Sequence, residues 1–379
     1  MKIALLCGCL EPGKDGVGDY VRKLAGHLVL WQHEVILIAL NDSFIEDKVT
    51  GFQDEEGVKI SVFRIPYSWS VSAKKPLVKR ILRAFGPDWL SLQFVPFTYD
   101  SKGLPFWLNN FLTGLGTEIQ WHIMFHELWV GMKKGSPLKH IIWGWLQKRI
   151  IQSLIGNLKP VVIHSQAALY QQYLQKLHYN VALLPLFPNI PLLAKSASQD
   201  EQNRVLSLVH FGTIHREAPV ERFAAEVLRY QKEKNVKVVL TFVGRVGTEE
   251  HRWRSLWEKA GLSIDVLGEL SPARISETLS EAAFGISTNP IALIDKSGTV
   301  AAMLEHNLPV LSVSQLWIPR GLSHPAPKQG IFKLEKGCID TCLKAKGQLF
   351  AIPKAFDVAK QFIEALNGHS VVEKAQPIV

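Results

Sequence analysis

The sequence predicts an α/β protein with two doubly wound domains, each a mainly parallel sheet covered by helices on both faces. Its 379 residues are 47% hydrophobic, which is more apolar material than one ordinary core holds. Short apolar runs alternate with helix-like segments in both halves, as expected for parallel strands buried on both faces. A polar stretch at 191–204 interrupts the alternation and is the expected linker. We therefore expect domains at 1–190 and 205–354, followed by a helical segment at 355–379.

The first half opens with a strand-like run that ends in glycine, "KIALLCG", and a segment with helical spacing follows, "DYVRKLAGHLVLWQ". Apolar residues three and four positions apart give such a segment one face for packing against a core. Five more short apolar runs predict further strands of the same sheet. They are "EVILIAL", "VKISVFRI", "WLSLQFV", "IQWHIMF" and "PVVIHS".

The second half repeats this alternation after the linker. Ser271 is the expected N-cap of the helix "SPARISETLSEA", because a serine hydroxyl can accept from a free amide there and Pro272 suits the first helical position. A last helix, "FDVAKQFIEALNG", is expected to end at Gly368. The expected strands are "VLSLVHFGTI", "VKVVLTFVGR", "SIDVLGEL", "AFGIST" and "LPVLSV", and "VERFAAEVLRYQKEK" is a further helix.

The net charge of +9 is concentrated in one region. Between Lys74 and Lys176 there are 13 Lys and Arg against 4 Asp and Glu, and 13 − 4 = 9 is the whole excess. Two amphipathic segments, "KKPLVKRILRAFG" and "KKGSPLKHIIWGWLQKRIIQSLIGNLK", carry much of it. Such helices can lie on an anionic bilayer, or they can be ordinary packing helices with solvated lysines, and both interpretations stay open. No nucleic-acid-binding module accompanies the charge, so nucleic acid is not an expected partner.

Composition also bears on the redox state and the cell compartment. Four cysteines without spaced zinc partners do not form a disulfide scaffold or a metal site, so we expect reduced, mostly buried thiols. The start "MKIALLCGCLEPG" has no signal-peptide cleavage pattern and is expected to be the first strand of a cytoplasmic protein, with peripheral attachment to the inner face of the membrane as an option. No apolar run reaches the roughly 18 residues of a spanning helix.

Ligands of open α/β sheets bind at the carboxyl ends of the strands, where glycine loops meet helix N-termini. The first such loop is "EPGKDGVGDYV", in which Gly16 and Gly18 would let a ligand approach the backbone. A tight turn before a helix is the simpler alternative. A dinucleotide fingerprint would need a glycine where Val21 stands, so an oxidoreductase that uses a nicotinamide cofactor is less favoured.

The second loop is "DKSGTVAAMLEHNLPVL". Lys296 supplies a cation and Ser297 and Thr299 supply hydroxyls, while Gly298 opens the amides of a helix start to an anion. Free amides and the positive end of the helix dipole make this a predicted phosphate site. A plain N-cap would need only the serine. Glu305 is a candidate for binding ribose hydroxyls, or a surface acid.

The succession of segments resembles the GT-B glycosyltransferases of family 4 over nearly the whole chain. The resemblance is carried by "GVGDYVRKLAGHL", "LQFVPFTYDSKGLP", "WHIMFHELW", "HFGTI", "FVGR", "VLGELSPARISETLSEAAFGIST" and "AAMLEHNLPVL". It implies two Rossmann-like domains that face a central cleft, with the acceptor bound by the first, the nucleotide sugar by the second, and the last helix returning to the first. It also implies transfer with retention, without a metal or other cofactor.

The resemblance assigns roles to single positions. It implies that His126 lies near the transferred sugar, that Gly16 and Gly18 face the diphosphate or the acceptor, and that Leu267 and Gly268 touch the base through the backbone. After the glycine that matches Gly212, the family has an arginine and, five residues further on, a lysine. This sequence has Thr213 and Ala218 there, and the cations that could substitute are His215, Arg216 and Arg245.

Two paired glutamates of the family are also replaced, by Ile294 and Ala302. Their neighbours Asp295 and Glu305 are the expected substitutes. A double displacement would need a carboxylate nucleophile, for which Asp19 and Glu127, beside His126, are the candidates. A front-face substitution assisted by the leaving group is the favoured route.

The sequence thus predicts a retaining glycosyltransferase that moves a sugar from a nucleotide diphosphate sugar to a saccharide, lipid-linked or small-molecule acceptor. The altered donor positions leave three alternatives: a nucleotide-sugar epimerase, a pseudo-glycosyltransferase that couples non-sugar groups, and a catalytically silent scaffold subunit.

Overall fold

The computed structural model describes residues 1–116, 119–193, 205–323 and 328–370. The chain divides into two compact units. The first consists of Met1–Pro185, Pro319–Leu322 and Lys354–Val379, and the second of Leu186–Ile318 and Ser323–Pro353. Most of the predicted linker, at 194–204, and the last nine residues of the predicted C-terminal segment lie outside the described residues.

The first unit has an eight-stranded sheet in the order β3-β4-β2-β1-β5-β6-β7-β8. All neighbouring strands pair in parallel except β3 with β4. Its strands are β1 (Lys2–Cys7), β2 (Glu34–Asp42), β3 (Val49–Glu55), β4 (Val58–Pro66), β5 (Trp89–Phe94), β6 (Gln120–Phe125), β7 (Val162–Ser165) and β8 (Ala182–Leu183).

The antiparallel strand β3 is a difference from the predicted parallel sheet. It forms a hairpin with β4 through Glu56 and Gly57, whose φ angles of 51° and 86° are those of a two-residue hairpin turn. Its sequence, "VTGFQDE", is mostly polar, and four of its seven residues are exposed. It was missed because an exposed edge strand lacks the apolar run that marks a buried one.

Some helices of the first unit are capped by residues that favour helix ends. For example, Ser70 caps α2 by accepting from Ala73 N, and Gly86 ends it in the left-handed conformation, as favoured at helix ends. The helices are α1 (Gly16–Leu30), α2 (Val71–Phe85), α3 (Pro96–Tyr99), α4 (Phe106–Thr113), α5 (Leu138–Leu158), α6 (Ala168–Gln175) and, from the end of the chain, α12 (Ala355–Ser370).

The last helix, α12, packs on α1 within the first unit. The Phe356 ring meets the edge of Trp31 at 5.0 Å between centroids, and Val358, Phe362 and Leu366 are buried. Their spacing of four residues gives the helix one apolar face. The helix continues through Gly368, the predicted end, to Ser370.

The second unit has a six-stranded, fully parallel sheet in the order β11-β10-β9-β12-β13-β14. Its strands are β9 (Val205–Phe211), β10 (Lys237–Val243), β11 (Ser263–Gly268), β12 (Phe284–Ser287), β13 (Val310–Ser312) and β14 (Ile331–Lys333). The chain leaves β9 toward one edge of the sheet and returns through β12 toward the other. The order therefore reverses between β9 and β12.

Helices cover this second sheet, and two of them start as the sequence predicts. Ser271 caps α9 with Pro272 at its first position, and Ser297 caps α10. The helices are α7 (Val220–Lys234), α8 (Glu250–Lys259), α9 (Pro272–Glu281), a 3₁₀ helix (Ile291–Lys296), α10 (Gly298–Glu305) and α11 (Cys338–Ala345).

The structure also bears on the cysteines and on membrane-spanning helices, the two points raised by the composition. Cys7, Cys9, Cys338 and Cys342 are all buried and free, as expected. Within the described part of the chain, no helix has both the length and the hydropathy needed to cross a bilayer.

Candidate functional site

The strand-order reversal in the second sheet brings two polar strand exits together. Gly212 and Thr213 follow β9, and Thr288 and Asn289 follow β12. The amide of His215 donates to Thr288 Oγ1 at 3.0 Å, and its ring Nε2 lies 2.8 Å from Asn289 Oδ1. Such a reversal opens a crevice at the carboxyl edge of an α/β sheet, so this is where the second unit is best suited to bind a ligand.

Glycines end three neighbouring strands at this edge. Gly212, Gly244 and Gly268 have φ angles of 90°, 79° and 66°, which side chains rarely tolerate. The Gly212 amide donates to Val243 O at 3.0 Å, and the Gly244 amide donates to Gly268 O at 2.7 Å. These bonds extend the pairing of β9 and β10 by one residue each, and the three glycines leave this edge without side chains at three points.

Gly212 also allows α10 to come close. A Cβ at this position would lie 2.9 Å from Thr299 Cγ2, which is closer than real Cβ contacts. The start of α10 is thus seated against the exit of β9. Ser297 Oγ accepts from Val300 N at 3.4 Å and lies 3.2 Å from Thr299 Oγ1. The predicted Ser-Gly-Thr segment therefore lies at the strand-order reversal, half-buried.

Asn289 joins these parts and was not predicted. Its Nδ2 donates to Ser297 Oγ at 3.0 Å, its Oδ1 lies near the His215 ring, and its carbonyl accepts from Ser312 Oγ at 2.9 Å. The available signal was the polar "STN" directly after the apolar strand "AFGI". We call Gly212, Thr213, Asn289, Ser297 and Thr299 the switch-point cluster.

The predicted cations differ in how they contact this cluster and in how exposed they are. Arg245 follows β10, accepts from Thr213 Oγ1 at 3.3 Å through its carbonyl, and pairs with Glu269 through its half-exposed side chain. Lys296 ends the 3₁₀ helix directly before the α10 cap and is half-buried. Arg216 is exposed and accepts from Arg252 through its carbonyl. No contact between Arg216 and the cluster supports its predicted role, which stays a prediction.

Asp295 and Glu305, the expected substitutes for the paired glutamates, lie before α10 and at its end. Asp295 Oδ1 forms an ion pair with Lys328 Nζ at 2.8 Å, so its charge already has a protein partner. Glu305 is the last residue of α10, two turns from the cluster, and half-buried. Leu267, beside Gly268 on the edge strand, is exposed. The roles of these four residues in donor binding stay predictions.

In the first unit, the glycine loop after β1 is held by its own side chains. Asp15 caps α1 by accepting from Gly18 N at 3.0 Å, and burial raises the pKa of this carboxyl group. Asp19 accepts from Gly13 N at 2.9 Å and pairs with Arg22. A Cβ on Gly18 would lie 2.6 Å from Cys9 O, so close packing alone accounts for this glycine. Around Gly16 there is open space, and contact of either glycine with a ligand stays a prediction.

His126 follows β6 and is only 2% exposed. Its Nδ1 lies 2.8 Å from Gln166 Oε1 and its Nε2 lies 2.8 Å from Gln93 Oε1. Burial lowers its pKa to about 4, against smaller opposing effects of Gln166 and Glu127, so the ring is neutral at pH 7. Both ring nitrogens are occupied, and a sugar hydroxyl would have to displace one partner. Glu127 is half-buried, and its role stays a prediction.

Within the described residues, no group of three or more His, Cys, Asp or Glu side chains is placed to hold a metal ion. Whether the reaction needs a metal is not decided by this observation, and the expected independence of metals stays a prediction.

No protein-family model and no curated protein matches the sequence. Solved structures do match over nearly the whole chain. HepE of Anabaena, in complex with UDP and glucose, has a TM-score of 0.60 at 14% identity and covers 97% of this chain and 100% of its own. The lipopolysaccharide outer core galactosyltransferase WaaB has 0.58 at 12% identity, covering 97% and 99%. The fold is that of the GT-B class.

A UDP-N-acetylglucosamine 2-epimerase is also similar, with a TM-score of 0.54 at 11% identity, covering 100% of this chain and 98% of its own. At such identities the similarity establishes the fold of two Rossmann-like domains and leaves the activity open. The predicted fold class is confirmed, whereas membership of family 4 stays a prediction.

Proposed function

We propose that this chain is a retaining, family 4-like glycosyltransferase that moves a sugar from a nucleotide diphosphate sugar to a saccharide, lipid-linked or small-molecule acceptor. The observation that carries the proposal is the switch-point cluster, where glycine backbone, hydroxyls and a helix N-terminus converge at the strand-order reversal of the second sheet. The complex of the similar HepE with UDP and glucose supports a nucleotide sugar as the ligand.

The cluster has the chemistry that a departing diphosphate needs. Breaking the bond between sugar and diphosphate leaves negative charge on the leaving group, and fixed donors lower the barrier by stabilising it. The free amides at the start of α10 carry about half a positive charge. Lys296, directly before this start, and Arg245, beside Thr213, would add cationic charge. Hydroxyls of Ser297 and Thr299 would complete the donor set.

Retention is proposed to proceed by front-face substitution. The carboxylate of Asp19 already accepts from Gly13 N and Arg22, which lowers its value as a nucleophile. His126 is neutral with both nitrogens engaged. In this scheme, leaving-group stabilisation by the second unit provides most of the catalysis, and no covalent sugar–enzyme intermediate is formed.

The proposal is tested by titrating the purified protein with UDP-, GDP- and ADP-sugars and recording thermal unfolding. A ligand present at about 100 times its Kd adds about 2.7 kcal/mol of stability, so one nucleotide class should raise Tm by several degrees. The absence of a shift with all three would overturn the proposal and favour the silent scaffold.

Two serine N-caps provide a matched pair of variants. Ser297 and Ser271 each accept from an amide three residues on at 3.4 Å, but only Ser297 belongs to the cluster. Both Ser→Ala changes should cost about 1 kcal/mol of stability. Only Ser297→Ala should also weaken nucleotide binding, by about tenfold. Equal affinities in the two variants would place the ligand elsewhere.

An epimerase is the second candidate, favoured by the structural similarity to UDP-N-acetylglucosamine 2-epimerase. Incubation of the bound nucleotide sugar without any acceptor separates the two. An epimerase would change the configuration of the donor sugar, which chromatography of the product detects, whereas a transferase would leave it intact or slowly hydrolyse it.

We further propose that α5 contacts an anionic membrane surface. Leu138, Ile142 and Trp145 are all exposed, and their spacing of four and three residues places them on one face of the helix. The Arg149 guanidinium lies 5.3 Å from the Trp145 ring. The sequence contains no Asp or Glu between Glu127 and Asp200, so the charged residues of this segment itself are basic. The combination suits an anionic bilayer.

Flotation with phosphatidylglycerol vesicles, compared with phosphatidylcholine vesicles, tests this contact. Wild-type protein should float with the anionic vesicles at low salt and be released at high salt. Combined replacement of Ile142 and Trp145 by serine should abolish flotation. Replacement of Phe52, an exposed aromatic residue on β3, by serine is the matched control and should leave it unchanged. Failure of the wild type to float would remove the membrane from the proposal.

A further inference from the structure

Six polar side chains form one continuous hydrogen-bonded chain inside the first unit. The successive distances are 2.8 Å from Gln166 to His126, 2.8 Å from His126 to Gln93, 2.7 Å from Gln93 to Ser91, 2.7 Å from Ser91 to His122, and 3.0 Å from His122 to His164. All six are buried, and Gln166 is the most exposed at 8%. We call these residues the buried polar chain.

The sheet register explains how the chain forms. Ser91 lies opposite His122, and Met124 lies opposite both Gln93 and His164. Residues paired in a parallel sheet point to the same face, so these side chains share one face of β5, β6 and β7. Phe362 of α12 covers His122 at 5.1 Å between ring centroids, and Tyr20 of α1 covers His126 at 5.1 Å.

Burial leaves the three imidazoles neutral. It lowers the pKa of His126 and His164 to about 4 and that of His122 well below its usual range. The charged or titratable groups near His126 are Glu127 beside it, His122 on the same strand and the Tyr20 phenol. No carboxylate is a member of the chain, so no anionic member stabilises a protonated imidazole.

Neutral imidazoles give the chain a direction, because each has one N–H and one acceptor nitrogen. With the Gln93 amide oriented so that its Nε2 donates to Ser91 Oγ, Gln93 Oε1 accepts from His126 Nε2–H. The Ser91 hydroxyl then donates to His122 Nδ1, and His122 Nε2–H donates to His164 Nδ1. All three histidines are therefore Nε2–H tautomers.

One assignment follows for the end of the chain. His126 Nδ1 carries no proton in this scheme, so the Gln166 amide must present its nitrogen to it. Amide oxygen and nitrogen positions are assigned from such networks rather than observed. Rotating the Gln166 amide by half a turn satisfies all five bonds in this direction. Rotating the Gln93 amide instead would satisfy them in the opposite direction, with three Nδ1–H tautomers, and the spectra described below distinguish the two.

We propose that Gln93 and Gln166 are positioning residues that hold His126 as a neutral Nε2–H tautomer, and that Ser91, His122 and His164 extend this control as one directional chain. The consequence for transfer, that His126 orients the sugar or acceptor without exchanging a proton, rests on the proposed function. The tautomers themselves do not depend on it.

Long-range ¹H–¹⁵N spectra of protein labelled with ¹⁵N-histidine test the proposal without any substrate. His122, His126 and His164 should each show a single Nε2–H tautomer and no titration between about pH 5.5 and 8.5, where exposed histidines titrate near 6.5. Titration of any of the three in this range, a mixture of tautomers, or three Nδ1–H tautomers would overturn the proposal.

The Gln93→Glu variant tests whether the direction is transmitted. An ionised carboxylate cannot donate, so at a pH where the introduced group is ionised the Ser91 hydroxyl must turn toward it, and His122 and His164 must both change to Nδ1–H tautomers. The new charge should also raise the pKa of His126. Unchanged tautomers at His122 and His164 in the folded variant would show that the links are independent and would overturn the chain.

The Gln166→Glu variant, at the more exposed end, covers the case in which Gln93→Glu does not fold. It should raise the pKa of His126 while leaving His122 and His164 as they are in the wild type; failure to raise it would overturn the role of Gln166. The control is Gln361→Glu, which adds a carboxylate at an exposed position next to Phe362 and should alter none of the three.

A kinetic readout then connects the chain to the proposed transfer. Wild-type kcat should show no ionisation from His126 between about pH 5.5 and 8.5, and Gln166→Glu should introduce one in kcat with little change in KM for the donor. If no nucleotide sugar binds at all, the proposed function fails while the spectra still decide the tautomers.

Discussion

The carboxyl edges of the two sheets are built from similar residues and treat them in opposite ways. In the first unit, Gln93 near the end of β5 and Gln166 after β7 both bond to His126 after β6, and all three are buried. In the second unit, Asn289, Ser297 and Thr299 are also bonded to one another, but they stay half-buried beside glycine backbone.

Burial decides what each edge can do. A buried polar group that loses its partner costs about 1–3 kcal/mol, so the first edge resists any rearrangement and suits the fixed orientation of a ring. A half-buried group can exchange water for a ligand at little cost. The second edge is therefore the better site for a ligand that comes and goes, and the variants below test this contrast.

The largest expected effect is on ligand binding at the second edge. Gly212→Ala would place an alanine at a φ of 90° and a Cβ 2.9 Å from Thr299 Cγ2. The backbone strain costs about 1–2 kcal/mol, and relief of the contact would displace the Thr299 side chain at the start of α10. Nucleotide affinity should fall by more than about tenfold, measured by calorimetric titration.

Gly261→Ala is the matched control. Its φ is 73°, and nothing lies within 4 Å of the added Cβ, so it should lose similar stability and retain full affinity. If both variants bind equally well, the close contact between Gly212 and Thr299 has no part in binding.

The sequence predicted the second edge better than the first. Ser297, Gly298 and Thr299 were recognisable because a helix start after a strand leaves a local pattern of cap, glycine and hydroxyl. The strands were recognisable for the same reason, since burial on both faces produces continuous apolar runs. The exposed strand β3 lacks such a run, and only the structure revealed it.

The buried polar chain could not be predicted in this way. Four of its members lie on three strands, two directly follow strands, and Gln166 lies 73 positions from Gln93 in the numbering. Nothing local distinguishes His122 in "QWHIMF" from an isolated polar residue in a strand. Asn289 was missed for a related reason, because its importance comes from joining β12 to α10 through space.

Two variants with effects of intermediate size should distinguish residues that matter for stability from residues that matter for nucleotide binding. Ser91→Ala removes the hydroxyl between Gln93 Nε2 and His122 Nδ1, both buried, and should cost about 1–3 kcal/mol in urea unfolding. Nucleotide affinity should be unchanged. Asn289→Ala should cost less stability, because its partners can reach water, and should weaken binding by about tenfold. The reverse pattern would contradict the contrast between the two edges.

The smallest effect concerns the buried ammonium group of Lys74 in the first unit. Lys74 on α2 is 2% exposed, and its ammonium bonds to Asn41 Oδ1 at 2.8 Å and Tyr67 O at 3.4 Å, both neutral acceptors. Burial lowers its pKa from 10.5 to about 8. Between these two values the unfolded chain binds more protons than the folded chain. This residue therefore makes the free energy of unfolding rise with pH from about 8 to 10.5.

Lys74→Met keeps most of the stem and removes the titration. Between pH 7.5 and 10, the free energy of unfolding measured with urea should rise by about 1–2 kcal/mol less in the variant than in wild type. A difference of one unit between the folded and unfolded pKa is worth about 1.36 kcal/mol, and the two hydrogen bonds offset part of the cost of burial. Lys79→Met, on the same helix but less buried, is the control and should follow wild type. Parallel pH profiles for all three proteins would mean that the Lys74 ammonium is as well solvated inside the first unit as it is in the unfolded chain.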